Sequence, residues 1–187
     1  MKFTFQLSLF IVSLFMIACS GEEQTEPAQP DRQNLDPVYE TPAEFKSQLS
    51  LALDEYFGLK DALVNSNAGQ AAAFAQAFGE NLHDVPGENL SDEAGSVWSG
   101  SRDILYDQSR QISQLNNVTE QRKAFDSLST ALIQSMEAFG PFENAIYQQT
   151  CPMAGDGSAD WLSLSGDIEN PYYGAEMLNC GAIVRTW

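Results

Sequence analysis

The stretch TCPMAGDGSADWLSLSGDIENPYYGAEMLNCG, residues 150–181, carries four sulfur atoms in mirror order, Cys151 and Met153 at one end and Met177 and Cys180 at the other. Thiolates and thioethers are soft donors. Together they favour Cu(I) over Zn(II), whose sites are built from Cys, His and carboxylate. Pro152 fixes one backbone torsion and stiffens the Cys-Pro-Met segment. A helical turn over GAEMLNC would set Met177 and Cys180 on one face. Cys151, Met153, Met177 and Cys180 are therefore a candidate metal site. The same two cysteines could instead close a Cys151–Cys180 disulfide, with the methionines as packing residues, and the spacing leaves both readings open.

Around the sulfurs, Asp160, Trp161 and Leu162 are placed to exclude water, and Asn170 and Pro171 mark a turn. Tyr172 and Tyr173 supply an aromatic wall or pack against the rest of the domain. Enzymatic use would need Cys151 as nucleophile and the single histidine, His83, as base. A lone histidine on the polar flank of a helix is more often a bystander, so no catalytic residue is assigned and an enzyme is not expected.

The sulfurs have to be placed in a compartment. Residues 1–18 read as a secretory signal: Lys2, then an apolar run interrupted by Gln6, Ser8 and Ser13 and shorter than the ~20 residues of a membrane span. It ends in MIAC, which resembles the lipobox of bacterial lipoproteins and marks Cys19 for acylation. Residues 19–41, rich in Glu, Gln and Pro, read as a flexible tether. The folded part, residues 42–187, is then expected outside the cytoplasm, anchored to a membrane through lipid, where thiols oxidise unless something protects them.

The chain has 187 residues, enough for one domain with its own core. It carries 26 acidic against 9 basic residues, a net charge of −17, with no basic cluster, which excludes a nucleic-acid partner. Apolar residues then outline four helices. Thr41, Pro42 and Glu44 make a capping box before Leu49, Leu53, Tyr56 and Leu63. Phe74, Ala77, Phe78, Leu82 and Val85 form a second stripe, closed by Pro86 and Gly87. A third runs from Ser91 through Trp98, Leu105 and Ile112; the fourth is capped by Asn117 and carries Phe125, Leu128, Leu132, Met136 and Phe139. Short connections predict a mostly α protein, an up-and-down four-helix bundle. The segments 145–150 and 182–186 predict a short antiparallel β-hairpin that brings Cys151 to Cys180.

The segment YQQTCPMAGDGSADWLSLSGDIENPYYGAEMLNCG, with YFGLKDALVNSNAGQAAAFAQAFGENL and EQRKAFDSLSTALIQSMEAFG upstream, resembles the DUF3347 family over roughly residues 45–185. The family's CPM, WLS, NPYYG and MLxCG motifs fall here on Cys151 to Met153, on 161–163, on 170–174 and on Met177 to Gly181. Thr150 departs from relatives with a histidine or aromatic residue before the CPM cysteine, so a nitrogen ligand there is missing. Such domains occur as exported proteins and on periplasmic adaptors of copper and silver efflux pumps. The resemblance implies copper handling in the cell envelope, with a heavy-metal efflux adaptor as partner.

Overall fold

The computed structural model describes residues 37–140 and 144–187. The expected signal peptide, Cys19 and the tether up to residue 36 lie outside the described residues. The packed chain is under way by Tyr39, whose N–H donates to Ala138 O at 3.1 Å and whose ring meets Phe139.

Four helices follow: α1 Ala43–Val64, α2 Ala68–His83, α3 Asp92–Gln114 and α4 Val118–Phe139. Their starts follow capping chemistry. Asn67 accepts from Gln70 N, Ser91 from Ala94 N, and Asn117 from both Thr119 N and Glu120 N, each meeting a helix N–H that has no partner within the helix. The first helix departs from expectation. The Thr41 hydroxyl donates back to Tyr39 O and does not cap, and the first helical bond is accepted by Pro42 O from Lys46 N.

Contacts fix the directions. Phe45, near the start of α1, meets Phe139 at the end of α4; Tyr56 stacks on Phe125, with 5.3 Å between ring centroids; Leu63 O, near the end of α1, accepts from Arg122 Nη2 at the start of α4. In the same way Asn81 of α2 reaches back to Leu51 O, and Gln121 of α4 to Ile112 O near the end of α3. Each helix is antiparallel to its neighbours, the up-and-down bundle that the short connections predict. Gly58 under the Phe74 ring and Gly79 against Ser109 let α2 approach α1 and α3 closely. Of the expected second stripe, Phe78, Leu82 and Val85 are buried, whereas Phe74 and Ala77 are half-buried and Ala71, Ala75 and Gly79 complete the inward face of α2. The core is aromatic: Phe45, Tyr56, Phe78, Trp98, Phe125 and Phe139 are all fully buried or nearly so, each worth about 1.5–3 kcal/mol in transfer terms.

The C-terminal part extends the expected hairpin to a three-stranded antiparallel sheet, with strands β1 Tyr147–Cys151, β2 Ala159–Ser163 and β3 Ala182–Thr186 in the order β2-β1-β3. The expected pairing of the first and last strands is present, with Thr150 opposite Ala182. The additional strand is ADWLS, read from the sequence as cover for the sulfurs. It can fold back on β1 because Gly155, at φ +59°, turns the chain where a side chain would crowd Asp126 Oδ2 and Ser158 O. Across the β1–β3 pair Val184 is an extra residue, a bulge that interrupts the ladder at an edge strand. The sheet docks on the bundle through Tyr56, whose buried hydroxyl shares a 2.8 Å hydrogen bond with Ser129 Oγ and accepts from Leu162 N at 3.1 Å. Burial holds the Tyr56 phenol protonated well above its ordinary range.

Candidate functional site

Antiparallel pairing of β1 and β3 carries the end of one strand to the start of the other, so the two cysteines meet. Their Sγ atoms are 3.1 Å apart, and both are free thiols. Cys151 is completely buried and belongs to the apolar core, whereas Cys180 is half-buried at its margin. The hydrogen bond to Cys151, followed by burial, holds the Cys180 thiol protonated to higher pH than an ordinary cysteine.

Around the pair lies a rigid frame. A Cβ on Gly181 would stand 2.7 Å from Thr150 O and 2.9 Å from Trp161 Cη2, so only glycine lets the chain leave Cys180 and pass beneath the indole. Trp161 is fully buried and meets Tyr172 edge-on at 6.0 Å; Tyr172 in turn donates to Asp160 O at 2.6 Å. Desolvation raises the Tyr172 phenol well above its usual range, so it serves as a neutral donor.

Asn170 organises the loop that bears Cys180. Fully buried, it donates from Nδ2 to Cys180 O at 2.9 Å and accepts at Oδ1 from Tyr172 N at 2.8 Å, while its backbone N–H donates to Leu178 O. The sequence assigns Asn170 only a turn; its neighbourhood to Pro171 was the available signal. Arg122 clamps the same loop to the bundle, donating to Pro171 O, Leu63 O and Ser66 Oγ. Gly174, at φ +57°, leaves the room that this guanidinium and Val64 O occupy. Buried Lys60 adds an ion pair to Glu169, 3.7 Å away.

The methionines are placed differently from the thiols. Met153 lies in the turn after β1 and is 60% exposed, its carbonyl accepting from Tyr173 Oη at 2.5 Å. Met177 is half-buried. The expected helical turn from Met177 to Cys180 does not form. A 3-10 turn covers Gly174–Glu176 only, and Met177 leaves it at φ −144°, ψ 47°. A hydrogen bond from Cys180 N to Met177 O at 3.0 Å closes the next turn instead. Glycine at the head of so short a turn gives it too little length to propagate.

Among the described residues, no three His, Cys, Asp or Glu side chains converge as metal ligands, so no imidazole joins the thiols. His83 ends α2, which packs on α1 and α3, and its ring is exposed beside Asp84 and a 350 Å³ groove between α2 and α3. A charged neighbour of its ring is Asp84, 3.8 Å away. An ion at the cysteines would have two thiolates as donors. Zn(II) prefers four N, S or O ligands and fits such a set poorly; a soft d¹⁰ ion content with few sulfurs fits it better.

A second cluster, not anticipated from the sequence, sits where the sheet meets α4. Asp126 faces the β1–β2 turn near Asp156 and Asp160, and burial, reinforced by those two charges, raises its carboxyl.

A family model described as a protein of unknown function (DUF3347) matches residues 52–144. Over those residues the chain matches the DUF3347 family. The match runs from within α1 to just beyond α4, so it covers the bundle and stops before the sheet. All four sulfurs lie outside it, although the resemblance read from the sequence extended over them to about residue 185. No curated protein and no solved structure matches the chain.

Proposed function

We propose that this protein is a lipid-anchored envelope protein that takes up Cu(I) at Cys151 and Cys180, with Met153 and Met177 as supplementary thioether donors, in the service of copper handling or efflux. The observation that carries the reading is the pair itself: two free thiols 3.1 Å apart, one inside the core and one at its margin, on a frame that holds both backbones. Donor chemistry supports a soft monovalent ion, since the neighbouring candidates are thioethers and Met153 leaves its sulfur-bearing side chain in solvent instead of the core. Titration of the reduced protein with Cu(I) against a chromogenic chelator tests it. Uptake of about one equivalent, lost in Cys151→Ser and Cys180→Ser and weakened in Met153→Leu and Met177→Leu, is the expected result; uptake indifferent to both cysteines rules the reading out.

A second reading is favoured by the same short contact. Outside the cytoplasm, thiols this close are poised to oxidise, and the domain would then be an interaction module closed by a Cys151–Cys180 disulfide, with an efflux adaptor or another envelope protein as partner. Under this reading freshly isolated protein carries the bridge, and both methionines become Leu without consequence for copper tolerance.

A further inference from the structure

Resting on the reading of Cys151 and Cys180 as a working pair, we infer that the two thiols have fixed and unequal roles. Cys180 is the outer thiol through which disulfide-bearing reagents or partners reach the pair, and Cys151 is the inner thiol that resolves the adduct. Cys151 has no exposed surface, and the core residues Ala154, Ala159 and Trp161 are buried around the end of its strand. Cys180 is half-buried between exposed Asn179 and half-buried Gly181. Exposed Pro152 and Met153 and the exposed side chain of Leu178 give this side an apolar lip against which an incoming molecule can pack. Attack on a disulfide requires the attacking sulfur and the target to meet in line, which only the sulfur at the surface can do without opening the core.

The step balances as a thiol–disulfide exchange. Cys180 loses its proton to solvent and its thiolate attacks one sulfur of an external disulfide R–S–S–R; the Cys180–S bond forms, the S–S bond breaks, and one thiolate leaves and is protonated. Cys151, 3.1 Å from Cys180, then gives up its proton and attacks Cys180 Sγ, which expels the second thiolate. Two protein thiols are oxidised to one disulfide while one external disulfide is reduced to two thiols. The second attack needs little movement, so the mixed disulfide is short-lived in the unaltered chain.

The probe is oxidised glutathione, added to the reduced full-length chain, with acid trapping and peptide mass mapping that reads Cys19 on its own peptide. In Cys151→Ser the glutathione adduct accumulates on Cys180, whereas in native Cys180→Ser the Cys151 thiol reacts about ten-fold or more slowly than it does in urea. Limiting N-ethylmaleimide on the unaltered chain, which needs no variant, labels Cys180 first. First labelling at Cys151, or equal rates at Cys151 in native and urea-unfolded Cys180→Ser, overturns the assignment. The outcome is separable from copper uptake. A chain that binds no Cu(I) still labels in this order if the roles are right, and a chain that labels in the reverse order can still titrate with copper.

Discussion

Cys180 illustrates how one neighbour sets the chemistry of a residue. Its hydrogen bond with Cys151 is the foremost reason that its thiol stays protonated to higher pH, and Cys151→Ala removes that cause. The pH profile of Cys180 alkylation should therefore move toward that of an ordinary cysteine in Cys151→Ala, with the midpoint falling. Asn170 acts on the same thiol through the backbone. Because it is fully buried and bonded to both Cys180 O and Tyr172 N, Asn170→Ala leaves buried groups unpaired and should lower stability by about 1–3 kcal/mol in urea denaturation. Labelling of Cys180 should quicken in the same variant as its loop loosens.

Two elements, the bundle and the sheet, are joined through a few polar contacts set in apolar surroundings. Tyr56 is the central one, because its hydroxyl pairs with Ser129 of α4 and caps the Leu162 N–H of β2. Tyr56→Phe keeps the ring packing but strands that N–H. The expected loss is again about 1–3 kcal/mol, with amide exchange in β2 accelerated more than in α2. Gln121 plays a comparable part at the other junctions, its buried Nε2 donating to Ala68 O and Leu115 O, so that the start of α2 and the end of α3 are tied to α4. Neither role was legible in the sequence. Tyr56 reads as one more apolar residue in a stripe and Gln121 as a polar residue in a first helical turn; what makes them structural is a partner 106 or 53 positions away. The helices were legible because their periodicity is local, as are the caps at Ser91 and Asn117, although Thr41 does not cap α1. Strand β2 was not, since five residues with a buried tryptophan give no period to separate a strand from a covering loop.

At the scale of the whole molecule, a chain of net charge −17 concentrates repulsion wherever carboxylates are brought together, and the seam between α4 and the β1–β2 turn is one such place. The folded-state pKa of Asp126 lies above its unfolded value, so the fold gains from the protonated form below the ordinary carboxylate range. That gain is lost as pH rises through the folded-state pKa. Asp126→Asn should accordingly raise Tm at neutral pH, and its advantage over the unaltered chain should shrink in acid. The meeting of Cys151 with Cys180 was legible in the sequence, since two short strand-like segments flank the sulfur stretch and their antiparallel pairing brings its two cysteines together. The different settings of the two thiols, one inside the core and one at its margin, were not, because burial is set by tertiary packing that the local pattern does not record. The frame thus defines a place for two sulfurs, and their use with copper is the central claim. Its most direct test is the copper K-edge X-ray absorption spectrum of the reduced chain loaded with one equivalent of Cu(I). A shell made of sulfur alone, lost in the Cys151→Ser, Cys180→Ser double variant, is the result expected; a first shell of nitrogen and oxygen, or a spectrum unchanged in that double variant, would contradict it.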